Sequence, residues 1–219
     1  MGKRGKRFVS LNNQKAESKA PLPFARLMMP TGCLLSVGYG DITTAKGTDA
    51  AIVNAASVEC LGGGGVDGAI HRAAGPELLA ACKRLPVIER EKRCDVRCPT
   101  GEARSTIAAR LDVKAVIHAV GPVYRNAAES APVLASTLAY SLVLARMKRI
   151  AHVAVPAISC GVYGYPHEEA AEVAMRVLGV HSVGLREVSV YIGERAKVGL
   201  WVDAAVNAFS PPQAGLAHE

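Results

Sequence analysis

Hydrophobic positions along this chain fall into short β-branched runs separated by stretches of helical period, and the alternation sets in only after residue 30. Strands are predicted at Leu34–Tyr39 and at 50–54, 115–120, 151–156 and 188–192. The runs at 115–120 and 151–156 are compact and apolar, as in strands buried on both faces of a sheet. Helical spacing marks 67–74 and 76–84, with Pro76 suited to a first turn. A longer helix is predicted over 130–149, where Leu134, Leu138, Leu142 and Ala145 recur on one face, and Arg146, Lys148 and Arg149 complement the dipole at its end. Helix signals return with Pro166, Glu168 and Glu169 ahead of 170–178, and a closing helix spans 195–209. The segment 84–112 is charged and holds short strands without a decisive pattern, Gly101 marking a turn. Alternation of strand and helix throughout predicts an α/β domain, a three-layer α/β/α sandwich on a mixed, largely parallel sheet.

Composition changes this picture mainly at the ends. A chain of 219 residues, 50% hydrophobic, can bury one substantial core. The net charge of +7 suggests a nucleic-acid partner until it is located. Residues 1–30 hold seven Lys/Arg against the single acid Glu17, and the other 19 basic and 18 acidic residues nearly cancel. The folded part is close to neutral, so the core itself is not expected to bind nucleic acid. The expected organisation is a basic, flexible leader over 1–30, a domain over 31–209 and a loose tail over 210–219. Besides a solvated arm, the leader admits two addresses: a nuclear signal or an organelle transit peptide. Lys6 at the usual Ser/Thr position argues against myristoylation. Six cysteines without a secretory signal read as reduced thiols of an intracellular protein, cytoplasmic or nuclear, or mitochondrial if the leader is a transit peptide. Cys94 and Cys98 are spaced wrongly for zinc, and no apolar run is expected to reach membrane-spanning length.

Candidate chemistry concentrates in two loops. After the second strand come four consecutive glycines, Gly62 to Gly65, and then a helix. Residues without Cβ let backbone N–H groups approach an anion closely, and the helix turns its unpaired N–H groups and positive dipole end the same way. A phosphate ester is therefore the first ligand expected. The strand at 151–156 delivers a second glycine-punctuated loop, 157–166, again feeding a helix. Two such loops on one edge of a parallel sheet point to a pyrophosphate held between them. No Lys-Ser/Thr follows the glycines, as a nucleoside-triphosphate loop requires, and the GxGxxG dinucleotide pattern is absent. Asp67 has two readings, cap of the helix at Gly68 or functional carboxylate. His118, in mid-strand, reads as a hydrogen-bonded core histidine.

The segments Gly40-Asp-Ile-Thr43, Ile52-Val-Asn-Ala-Ala56, Leu61 through Pro76, Val116-Ile-His-Ala-Val-Gly-Pro122 and Pro156 through Pro166 together resemble a macrodomain of the MacroD type, in the right order over 33–209. The resemblance implies a metal- and cofactor-independent hydrolase, and a monomer is expected. Such a protein binds ADP-ribose, removes it from Asp/Glu side chains of mono-ADP-ribosylated proteins, and in many members deacetylates O-acetyl-ADP-ribose. Carried onto this chain, Asp41 accepts the adenine amino group and Ile42 offers a backbone N–H. Asn54, Gly63, Gly64, Val66, Ser159, Cys160, Gly161, Val162 and Tyr163 bind the rest of the ligand, Tyr163 against the distal ribose. Asp67 sits beside the anomeric carbon, with Ser57 and Gly65 completing the catalytic set. The family's Asn-Ala-Ala-Asn reads here Asn54-Ala-Ala-Ser57, and Cys160 stands where Thr is common. Ser is shorter than Asn and offers one rotatable hydroxyl in place of the amide's separate donor and acceptor, which leaves a reader module that binds without cleaving as the rival expectation. A third, binding of RNA or poly(ADP-ribose), rests on the basic arm alone.

Overall fold

The computed structural model describes residues 25–90 and 94–210. Along them run β1 (Ala25–Met28), β2 (Leu34–Tyr39), β3 (Gly47–Ala55), α1 (Gly65–Ala74), α2 (Pro76–Lys83), β4 (Glu89–Arg90), β5 (Asp95–Val96), β6 (Ala103–Ile107), β7 (Val113–Ala119), α3 (Ala127–Met147), β8 (His152–Pro156), α4 (His167–His181), β9 (Glu187–Ile192) and α5 (Val198–Phe209). Seven strands form one sheet in the order β1-β2-β9-β8-β3-β7-β6, and β4 pairs with β5 in a separate hairpin. The five central strands are parallel, and β1 and β6 close the edges antiparallel.

Successive strand residues point to opposite faces, so each apolar run feeds two cores at once. On one face Val53, Ile117, Val155 and Val190 meet Leu134, Leu138 and Leu142 of α3, Met175 and Leu178 of α4 and Trp201 of α5. On the other, Ile52, Val116 and Ala154 meet Ile70 and Ala74 of α1 and Leu78 and Cys82 of α2. Each fully buried Leu or Ile contributes about 1.5–3 kcal/mol, which makes these contacts the main cement of the three layers. The mixed, mostly parallel sandwich expected from the alternation is the fold observed.

Several boundaries move. The stretch expected to be leader ends too late: Ala25–Met28 pairs with β2, and Met29 is 2% exposed. Four residues of mixed character carry no period of their own, and the ladder offered by β2 orders them. Residues 1–24 and 211–219, which carry the remaining leader and tail expectations, lie outside the described residues. α3 starts at Ala127 because Asn126 caps it, its side chain accepting from the Glu129 N–H at 2.9 Å. At 21 residues and a mean hydropathy of 1.3, α3 also corrects the expectation that no stretch is long and apolar enough to cross a membrane. Its buried leucines nevertheless lie against the sheet as part of the main core.

Candidate active site

β3 and β8 are neighbours in the sheet, with Ala50 opposite His152 and Ile52 opposite Ala154. Their following loops therefore emerge side by side at the carboxyl ends of parallel strands, where open α/β sheets hold ligands. The first loop enters α1 through Gly64 as N-cap, and Gly65 takes φ +57°. At Gly62, φ is +87° and an added Cβ would stand 3.2 Å from the His71 ring, so a side chain there would be strained and would crowd that ring. The opening N–H groups of α1 are left for an anion in the cleft. In the second loop, internal turns occupy the N–H groups of Cys160, Gly164 and Tyr165. Those of Gly161, Val162 and Tyr163 donate to no hydrogen-bond acceptor among the described residues. Val162 is 98% exposed at the tip, so its backbone, not its packing, is what it offers the cleft.

Two cavities join between these loops. One of 430 Å³ is lined by Asp41, Ile42, Tyr191, Cys160, His167 and Glu194, and one of 260 Å³ by Ser57, Gly63, Gly64, Asp67, Ser159, Val162 and Tyr163. Gly65, Val66, Ala157 and Gly161 line both, which makes them two ends of one cleft. The structure thus brings together every residue proposed from sequence except Asn54. That residue is fully buried and lines neither cavity; it stands behind Asp67 and is corrected from ligand contact to support. Asp41 Oδ1 accepts from the Thr43 N–H at 2.9 Å and from its hydroxyl at 2.8 Å, which holds the carboxylate at the rim.

Asp67 is the third residue of α1, and Gly64 holds the N-cap, so the capping reading falls. Its carboxylate, in a residue 5% exposed, accepts from Asn54 Nδ2 at 2.7 Å and lies 3.5 Å from His71 Nε2. Burial pushes the Asp67 carboxyl above its usual range, with Asn54 and His71 pulling the other way. Asn54 Nδ2 also donates to His118 Nδ1 at 3.1 Å, which places the His118 proton on Nε2, facing Thr106 Oγ1 at 2.9 Å. Burial, and secondarily His71, drops His118 to about 3. It is a neutral core histidine, and its work is to orient Asn54 behind Asp67. His71 received no role from sequence; the signal was its position four residues after Asp67 on one helix face.

Donor atoms of His71, Cys82 and His118 lie within 4.8 Å of one another. Both His118 nitrogens are already committed to Asn54 and Thr106, so the trio reads as internal wiring. The Cys160 thiol, pushed up to about 12 by burial and then by Glu194 and Glu168, is not a thiolate at neutral pH, which removes it as a nucleophile.

Fold and cleft together define an α/β/α domain in which two glycine-punctuated loops flank one cleft beside a buried carboxylate. The macro domain family model matches residues 53–174, and the chain belongs to the macrodomain family. It is 48% identical over 170 residues to a macro domain-containing protein of Vibrio parahaemolyticus, covering 78% of this chain and 96% of that one. To a protein of Klebsiella pneumoniae named O-acetyl-ADP-ribose deacetylase it is 54% identical over 140 residues, 64% of this chain and 75% of that one. Among solved structures, the Oceanobacillus iheyensis macrodomain with ADP superposes with a TM-score of 0.73 at 34% identity, covering 82% of this chain and 93% of that chain. The Trypanosoma brucei macrodomain in complex with ADP-ribose gives 0.65 at 33% identity, over 77% and 68%.

Proposed function

We propose that this macrodomain binds ADP-ribose and hydrolyses esters on its distal ribose, taking O-acetyl-ADP-ribose and ADP-ribose linked to Asp or Glu side chains. The observation that carries the reading is the buried Asp67 carboxylate opening onto the smaller, distal cavity, beside a second loop whose Gly161, Val162 and Tyr163 N–H groups find no acceptor among the described residues. Relatives named O-acetyl-ADP-ribose deacetylase support the ester chemistry, and neighbours solved with ADP or ADP-ribose support the ligand. In this mechanism the loops hold the pyrophosphate and Tyr163 packs on the ribose. For the acid-linked ester, water bonds to the anomeric carbon and the carboxylate departs with the bonding electrons; for the acetyl ester, water bonds to the acyl carbon and the ribose oxygen departs, taking up a proton as the hydroxyl. Asp67, backed by Asn54 and His71, orients that water and receives its proton. Fixed donors and a placed nucleophile lower the barrier without a covalent intermediate.

The test is release of ADP-ribose from an acid-linked, automodified transferase alongside release of acetate from O-acetyl-ADP-ribose. Turnover of either ester supports hydrolysis; tight ADP-ribose binding with neither product formed leaves the reader module.

Ser57 favours that second reading, because it lines the distal cavity where its family position carries an amide. Ser57→Asn is expected to raise kcat about fivefold, the worth of one further hydrogen bond to the ribose. Steady-state kinetics on both esters checks this, and an unchanged kcat would mean that the shorter hydroxyl already suffices.

A further inference from the structure

The wall of the larger cavity carries a donor that no motif in the chain announces. His167 opens α4 directly after the second loop and is 9% exposed. Its Nδ1 accepts the indole Nε1–H of Trp201 at 3.1 Å, and Trp201 is itself 2% exposed in the main core. The rings meet edge-on, with centroids 6.3 Å apart at 80°. An indole N–H only donates, so Nδ1 must keep its lone pair and the imidazole proton must sit on Nε2. A second proton on Nδ1 would oppose two N–H groups, and burial adds to the bias by holding His167 below the usual histidine range.

The outcome is a neutral ring of fixed tautomer on the cavity wall, its hydrogen on Nε2 beside the exposed side chain of Glu194. Glu194 Oε1, 3.9 Å off on a side chain 64% exposed, is too distant to take that hydrogen. The same cavity holds Asp41 and Ile42. A carboxylate acceptor next to a backbone N–H matches the amino group and N1 of adenine, which leaves N3 and N7 as the ring's remaining acceptors. A neutral donor on a buried wall suits such a nitrogen better than a phosphate, which a cation would serve.

We propose that His167 is a specificity-determining residue that donates Nε2–H to N3 or N7 of the purine, with Trp201 fixing the tautomer that makes it a donor. This rests on the ADP-ribose reading of the cleft and deepens it. The experiment measures affinities of the wild type and His167→Phe for ADP-ribose and for its 3-deaza and 7-deaza analogues, in which a C–H replaces one ring nitrogen. Wild type should bind one of the two analogues about tenfold more weakly than ADP-ribose, the upper end for a single hydrogen bond. His167→Phe should bind ADP-ribose about tenfold more weakly and should not distinguish that analogue from ADP-ribose, the mark of a coupled pair. If His167→Phe misfolds, the deaza discrimination by wild type still decides. Equal wild-type affinity for all three ligands overturns the proposal, and so does an equal loss on all three in His167→Phe, which would place the acceptor on the ribose. Absence of any ADP-ribose binding by wild type would overturn the underlying reading as well, and is thereby distinguished from a failure at His167.

Discussion

Asp67→Asn should lower kcat by about 100-fold or more while the domain stays folded, the usual loss when a positioned acid–base group is removed. The substitution keeps the shape and keeps an oxygen to accept the Asn54 amide, so the hydrogen bond now at 2.7 Å can persist. What goes is the negative charge to which the proposed reaction assigns the water and its proton. Stability should move the other way. Burial raises the folded-state pKa of Asp67 above its unfolded value, so the folded protein is favoured when the group is protonated. That contribution is fully present below the unfolded pKa and is lost as pH rises through the folded one. At neutral pH the wild type therefore carries an unfavourable buried carboxylate that Asn lacks. Thermal melts should show the variant at least as stable as wild type at pH 7, with the gap closing toward about pH 4, where the unfolded carboxyl protonates too. In the wild type, activity should fall on the acid side at a pH above the ordinary carboxylate range. A variant that kept more than a tenth of wild-type kcat would remove Asp67 from the chemistry.

The second large effect is expected at Gly68, in the interior of α1. Glycine inside a helix is normally a weakness, and Gly→Ala there usually stabilises by about 1 kcal/mol. Here an added Cβ would stand 2.5 Å from the carbonyl oxygen of Gly63 and 3.0 Å from Arg72 Nη1. The arginine can swing aside. The carbonyl cannot, because it belongs to the loop that lines the distal cavity. Gly68→Ala should therefore push the glycine loop off its helix, costing about 1–3 kcal/mol of stability as overpacking does. Misplacing the loop by a fraction of an ångström should also cut kcat/KM by on the order of tenfold to 100-fold. Gly64→Ala is the control for stability: its φ of −95° is open to any residue, and nothing lies within 4 Å of the added Cβ. Equal melting temperatures for the two variants would show that the close approach at Gly68 is unimportant.

Sequence was most informative where one local signal sufficed. The central strands announced themselves because strands buried on both faces are continuous apolar runs, and the two loops because glycines and a following helix stand together. The edges were harder. β1 is held by its pairing with β2, and Arg26 and Met28 face outward as in any half-covered strand. β6 grades from buried Ala103 to exposed Ile107 beside β7, with no alternation to mark it, within a segment whose charges masked it. Site residues divided along similar lines. Those acting through backbone position, such as Gly63 and Gly161, could be placed from the loop alone. Asn54 could not, since only the fold decides whether an amide at a strand end meets the ligand or a carboxylate behind it. His167 depends on Trp201, 34 positions away on another helix, and no spacing rule links them.

The sheet order has a consequence for how the chain comes together during synthesis. β2, near the start, hydrogen-bonds along its length to β9, near the end, and the hydroxyls of Thr31 and Ser182 meet across 151 positions. Such pairings make closure of the sheet a late, slow event. The larger end of the cleft, with Asp41 from one limb and Tyr191 and Glu194 from the other, is completed only when that closure occurs. The phosphate loops belong to β3 and β8, which can pair without β9. A nascent chain would thus shape the glycine-loop end of its cleft before the Asp41 end, and a ligand spanning both would find them together only once the last strand had left the ribosome.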